Sequence, residues 1–190
     1  KDRRASMSIH VAAEKGFAGV IAATSGNYGA AVASQAARAG LKCIICQETF
    51  DSRHVGQPEI VEKSRLCEAF GAEVVQMTVG PELFFHMLEL LDSTGYLSAS
   101  LYSPFGVSGI ESLGAELAEE MTALTGAPPT HVVCTHAGGG NTTGTARGLK
   151  RVGARTEIVS ASVDLSGLHM ASDTDFNRKS FTTGHTGFGV

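Results

Sequence analysis

The sequence predicts an α/β fold built of mainly parallel, twisted sheets with flanking helices. Short apolar, β-branched runs alternate with helix-compatible segments along the chain, and such alternation requires right-handed crossovers between parallel strands. Two strand-to-helix junctions, residues 24–29 and 135–144, are polar or glycine-rich and fall at the carboxyl ends of their strands, where ligands gather in open α/β sheets. With 190 residues, 43% of them hydrophobic, the chain has the material for a buried core.

Each element has a local reason. Residues 2–15 read as a helix, with Met7, Val11 and Ala12 at helical spacing, Gly16 as its stop and Lys1 at its start. Residues 20–23 form a short buried strand, followed by a helix over 30–39 that ends at Gly40. The next strand spans 41–46, and Gln57-Pro58-Glu59 opens a helix with proline at its first position and acid in its first turn, closed by Gly71. A strand over 73–77 precedes Gly80-Pro81-Glu82, the start of a helix whose Phe84, Met87, Leu88 and Leu91 are expected to form its core stripe. Residues 96–101 read as a short strand and Ser103-Pro104-Phe105-Gly106 as a turn. Ile110, Leu113, Leu117, Met121 and Leu124 then mark a long amphipathic helix ended by Gly126. The run 131–134 leads into the glycine-rich junction, helix-forming residues follow over 145–150, and 158–163 is apolar again. Beyond it, residues 165–190 are rich in Ser, Thr, Gly and His and read as a loop over the site or a linker.

The net charge of −4 supplies no basic field for nucleic acid or an anionic membrane, which favours small-molecule chemistry. No apolar run approaches the ~20 residues of a membrane span, and the expected location is the cytoplasm. Both ends are abrupt, as in a piece of a longer protein. Cys43-Ile44-Ile45-Cys46 invites a metal or redox reading, but positions three apart on a strand point to opposite faces. Cys43, Cys46, Cys67 and Cys134 are therefore expected to be reduced and buried, with no metal.

Thr135-His136-Ala137-Gly138-Gly139-Gly140-Asn141-Thr142-Thr143-Gly144 is built to seat an anion. Glycines let backbone N–H groups converge on an oxyanion, and the following helix adds the positive end of its dipole. A plain tight connection is the bland alternative. Two named phosphate motifs fail on spacing: a phosphate-loop NTPase needs lysine where Thr145 stands, and the dinucleotide pattern needs glycine where Thr143 stands. Asp164, twenty positions after Gly144, keeps a dinucleotide-binding module as an alternative. The earlier junction, Thr24-Ser25-Gly26-Asn27-Tyr28-Gly29, presents hydroxyls, an amide and N–H groups at a helix start, which suits a carboxylate.

Lys1-Asp2-Arg3, Thr24-Ser25-Gly26-Asn27-Tyr28-Gly29 and Gly138-Gly139-Gly140-Asn141 occur in the order and spacing of the fold-type II pyridoxal-phosphate enzymes. These are the relatives of cysteine synthase, threonine synthase and the tryptophan synthase β chain. More narrowly, residues 23–47, Val55-Gly56-Gln57-Pro58-Glu59-Ile60, Gly167-Leu168-His169-Met170 and Lys179-Ser180-Phe181-Thr182-Thr183 resemble the β subunits of 2-amino-4-oxopentanoate thiolase, which act in anaerobic ornithine breakdown. The resemblance implies pyridoxal 5'-phosphate as cofactor, with Lys1 joined covalently to its aldehyde and moving the proton at the substrate α-carbon. It implies that Asn27 bonds the ring hydroxyl, that Thr24, Ser25, Gly26 and Tyr28 hold the substrate carboxylate, and that Gly138, Gly139, Gly140, Asn141 and Thr142 hold the phosphate. A smaller mobile lobe over 17–100 and a larger phosphate-binding domain over 1–16 and 101–190 follow from it. So do an amino-acid substrate, coenzyme A and acetyl-CoA, D-alanine as product, an α subunit and homo-oligomerisation. The group that partners the pyridine nitrogen lies in the C-terminal part of this fold, outside the chain. β-Elimination or replacement of the cysteine synthase or threonine synthase type is the alternative within the family. No residue is singled out to activate a thiol: His136, His169 and His185 are candidates, against an ordinary structural or exposed role for each. Taken alone, Lys1 is an ordinary surface lysine, but desolvation in a closed crevice would lower its pKa toward the free amine that attacks an aldehyde.

Overall fold

The computed structural model describes residues 1–24, 26–51, 53–78, 80, 82–100, 103–136 and 139–161. β1 (Gly19–Thr24), β2 (Lys42–Phe50), β3 (Glu73–Thr78) and the short β4 (Leu97–Ser98) form one sheet in the order β3-β2-β1-β4. Their pairings are all parallel, and Thr24 lies opposite Gln47 at the end of β1. β5 (His131–Thr135) and β6 (Glu157–Ala161) pair in parallel as a second sheet. The helices between them are α1 (Asp2–Glu14), α2 (Asn27–Ala39), α3 (Pro58–Ala69), α4 (Glu82–Thr94), α5 (Pro104–Thr125) and α6 (Gly140–Arg151). Among the described residues, no helix is long and apolar enough to cross a membrane.

Alternation along the strands divides the larger sheet's packing into two cores. Val20, Ala22, Cys43 and Ile45 pack with Ala5, Ile9 and Ala12 of α1 and the alanine face of α2, while Ile21, Ile44 and Cys46 pack with Leu83 and Met87 of α4. Cys43 and Cys46 thus belong to opposite faces, as the strand reading requires. All four cysteines are free and buried, and burial pushes the Cys43 thiol to about 12 and the Cys46 thiol to about 11. Neither carries the thiolate that reactivity or metal binding needs.

Several elements depart from the sequence reading. α2 starts at Asn27, not at residue 30, because the side chain of Thr24 caps its first turn. β2 continues to Phe50 and takes the polar Gln47, Glu48 and Thr49 into the interior, a continuation that hydrophobicity does not reveal. Residues 103–106 are no free turn: Ser103 Oγ accepts the Gly106 N–H at 3.0 Å and Pro104 begins α5. The α4 stripe is also displaced. Leu83 and Met87 are buried, whereas Phe84 is 39% and Leu88 58% exposed. With apolar residues on more than one side, α4 has two possible inner faces, and contact with Ile21, Ile44 and Cys46 selects the one through Leu83. On α5 the buried face runs through Gly106, Ile110, Gly114, Ala115 and Ala118, while Leu124 is 81% exposed.

Small residues on α5 have a packing purpose. A Cβ on Gly114 would strike the carbonyl of Thr145, and one on Gly148 the carbonyl of Glu111, so α5 and α6 approach backbone to backbone. α1 is tied to the same pair: Arg3 holds Glu116 through two bonds of 2.6 Å and Ser112 at 2.7 Å. The starts of α1 and α6 are thereby fixed near each other, and this positions the site.

Candidate functional site

Lys1 is the N-cap of α1, and its carbonyl accepts the N–H groups of Arg4 and Ala5, both at 3.1 Å. The residue is exposed as a whole. Its amine nonetheless lies far enough into the protein that desolvation, followed by the Arg4 charge, holds its pKa below the ordinary lysine value. Arg3 reaches toward α5, where its pairing with Glu116 anchors the helix.

The asparagine turn follows β1 where the strand order reverses between β1 and β4, the place where α/β sheets open a ligand crevice. Gly26 caps α2 with φ of 149°, a backbone state that favours glycine. Thr24 Oγ1 accepts the N–H groups of Gly26 and Gly29, at 3.0 and 3.2 Å. Its acceptor capacity is used, leaving its O–H as the group able to meet an anion. Asn27 is exposed at the first helical position. Tyr28 is 2% exposed; burial raises its pKa, opposed by nearby Ser8 and by the Arg4 charge. Its side chain therefore lies against α1, and only its backbone N–H remains for a carboxylate. Ser25 lies outside the described residues.

Sequence reasoning missed Lys63. A Cβ on Gly26 would lie 2.8 Å from Lys63 Cδ and 3.4 Å from its Nζ, so this α3 lysine lies over the N-terminus of α2. Nothing in its local sequence distinguishes it from an exposed helix lysine.

At the second junction Gly139 caps α6 with φ of 74°. The His136 N–H donates to the Ala161 carbonyl at 2.7 Å, and its ring borders Gly139. His136 Nδ1, Thr142 Oγ1 and Thr145 Oγ1 are buried without a hydrogen-bond partner among the described residues. Gly138 lies outside those residues, as do Asp164, His169 and His185.

The three motifs meet at Arg4. This residue is 7% exposed; a Cβ on Gly140 would run into its guanidinium, and its charge acts on both the Lys1 amine and the Tyr28 hydroxyl. The amine and the glycine turn thus lie near the same arginine. A phosphorylated pyridine aldehyde fits this arrangement. The start of α6 offers bare backbone N–H groups and a buried hydroxyl without a partner among the described residues in its first turn, and a partly desolvated amine feels the charge of the arginine that borders it.

Comparison with known proteins agrees with the geometry. A family model described as pyridoxal-phosphate dependent enzyme matches residues 1–181. Two curated relatives, each named 2-amino-4-ketopentanoate thiolase beta subunit, are 71% and 66% identical over the whole of this chain. The first is from an unspecified prokaryote and the second from Acetoanaerobium sticklandii. The chain spans 40% of the length of each. Among solved structures, maize serine racemase is similar with a TM-score of 0.71 at 23% identity, over 85% of this chain and 46% of that one. A pyridoxal 5'-phosphate-dependent aspartate racemase matches with a TM-score of 0.69 at 22% identity, over 85% and 46%; both likenesses concern the fold. With the matched model spanning nearly its whole length, the chain belongs to the pyridoxal-phosphate-dependent enzyme family.

Proposed function

We propose that this chain is the catalytic-crevice portion of a 2-amino-4-ketopentanoate thiolase β subunit. Identity of 71% to a protein of that name, sustained across the whole chain, is the observation that carries the reading. In the proposed reaction the coenzyme A thiol adds to the 4-keto carbon and the bond between C3 and C4 breaks. The acetyl group remains on sulfur, and the other three carbons leave as D-alanine, which takes up the thiol's proton. The bound cofactor supplies the electron sink for negative charge on the amino-acid carbons.

The remaining work falls to the chain's own residues. Lys1, held below its ordinary pKa, binds the cofactor and carries the proton to and from the α-carbon. Asn27 bonds the ring hydroxyl. The Thr24 O–H, Ser25 and the N–H groups of Gly26 and Tyr28 hold the substrate carboxylate, with the Lys63 cation adjacent. Gly138, Gly139, Gly140, Asn141 and Thr142 hold the phosphate. Residues 17–100 form the lobe that closes over substrate, and residues 1–16 and 101–190 belong to the phosphate-binding domain. The working protein pairs with an α subunit, self-associates and serves ornithine breakdown in the cytoplasm.

Two measurements test this. The full-length protein with its α subunit should consume D-alanine and acetyl-CoA with release of free thiol, and leave O-acetylserine and sulfide untouched; the opposite preference would replace the thiolase reading with β-replacement. Borohydride treatment of the wild type should leave a cofactor adduct on the peptide bearing Lys1, absent in Lys1→Ala. An adduct retained at full yield in that variant would remove Lys1 from its role.

A further inference from the structure

The glycine turn accounts for backbone contacts to a phosphate but leaves its charge without a cation. A phosphate monoester carries close to two negative charges at neutral pH, and a helix N-terminus offers the equivalent of roughly half a positive charge. Beside that terminus stands a side chain to which neither the glycine turn nor the resemblance gives a role. Arg4 follows Lys1-Asp2-Arg3 directly and is 7% exposed, a rare degree of burial for arginine. It lies on the inner side of α1, with its guanidinium over Gly140, the first residue of α6.

The surroundings are polar and incomplete. Ser8 and Tyr28 are 0% and 2% exposed; their hydroxyls lie close enough for Ser8 to lower the Tyr28 pKa, yet neither oxygen meets hydrogen-bond geometry with a partner among the described residues. Ser8 is one turn along α1 from Arg4, and the Tyr28 hydroxyl lies within reach of the Arg4 charge. In the first turn of α6, Thr142 Oγ1 is likewise buried without a partner. Buried hydroxyls without hydrogen-bond geometry, close to a buried cation at a helix start, make a polar setting able to receive an anion.

We infer that Arg4 is a ligand of the cofactor phosphate, adding a charged donor to the neutral cradle of Gly139, Gly140, Asn141 and Thr142. Planar guanidinium donors match phosphate oxygens. This assignment rests on the cofactor reading above and extends it to a residue outside the three motifs.

The test compares pyridoxal 5'-phosphate with pyridoxal, which has the same ring and aldehyde without the phosphate. Dissociation constants for both are measured by absorbance titration on the full-length wild type, Arg4→Gln and Arg4→Lys, with circular dichroism to confirm folding. A charged hydrogen bond predicts that Arg4→Gln weakens pyridoxal phosphate by about tenfold to a hundredfold. Pyridoxal should stay within about twofold, and Arg4→Lys should fall between wild type and Arg4→Gln for the phosphorylated compound alone. The phosphorus resonance of bound pyridoxal phosphate should shift between wild type and Arg4→Lys. Equal losses for both compounds would make Arg4 a structural residue, and unchanged affinity for pyridoxal phosphate would remove it from the phosphate site; either overturns the inference. Should Arg4→Gln fail to fold, the Arg4→Lys comparison decides by the same criterion. A wild type that binds neither compound would defeat the cofactor reading itself, a result distinct from a selective failure at Arg4.

Discussion

A few residues stand in environments that differ from what their type leads one to expect. Lys1 and Arg4 are examples, and Glu48 is a third. It sits on β2 beside the α4 core with 0% exposure, and neither carboxyl oxygen meets hydrogen-bond geometry with a partner among the described residues. Burial raises its pKa to about 7; the Gly80 N–H opposes the rise but lies outside hydrogen-bond geometry. The sign follows from linkage: folding raises the pKa above the ordinary 4.5, so the protonated carboxyl favours the folded state. That stability is fully present below pH 4.5 and is lost as pH rises toward about 7. Over this window the wild type should lose about 3 kcal/mol more than Glu48→Gln, at about 1.4 kcal/mol per pKa unit. Urea unfolding at both ends of the window measures it, and parallel pH profiles would show that Glu48 is ionised in the fold. From sequence the motif residues were legible by type and spacing. Arg4, Lys63 and Glu48 were not, because a charged residue on a helix or strand reads as solvated until its neighbours are known.

Elements were legible where local rules act alone. Gly40 and Gly126 end α2 and α5 in the left-handed conformation, and Pro58 opens α3. Inner faces were less so. The hydrophobic stripe assigned to α5 overlooked the small residues that bring it against α6, and the α4 stripe was rotated onto Phe84 and Leu88. The α5–α6 seam gives an element-scale prediction. Gly148→Ala improves helix propensity by about 1 kcal/mol but directs its methyl at the Glu111 carbonyl. Backbone on both sides leaves little room to relax, so a net loss of about 1–3 kcal/mol is expected. Thermal unfolding of the variant checks this, and a raised midpoint would mean that the helices are not in contact there. Because α6 begins at the proposed phosphate cradle, the same variant should also weaken pyridoxal phosphate binding.

For the molecule as a whole, the proposed site draws on distant parts of the chain: the start of α1, the end of β1 and the start of α6. A ligand spanning them favours the folded state over the unfolded chain. With free cofactor at a hundredfold excess over its dissociation constant, the full-length protein should gain about 2.7 kcal/mol in unfolding free energy. Denaturant titrations with and without pyridoxal phosphate measure the gain, and an unchanged midpoint would mean that the folded protein does not bind it. Pyridoxal should give the smaller shift if the phosphate seat contributes as inferred.

By itself the sequence determined the α/β class, the order of strands and helices, the buried state of the cysteines and the motifs of the pyridoxal-phosphate-dependent family. Those depend on periodicity, glycine and proline geometry and motif spacing, all properties of neighbouring residues. Tertiary structure alone decided which face each helix turns inward, how far β2 carries polar side chains into the core, and that the guanidinium of Arg4 lies against Gly140 with its charge acting on Lys1. The reason is physical: burial and charge proximity are set by residues far apart in the chain, and they come into being only when the helices pack.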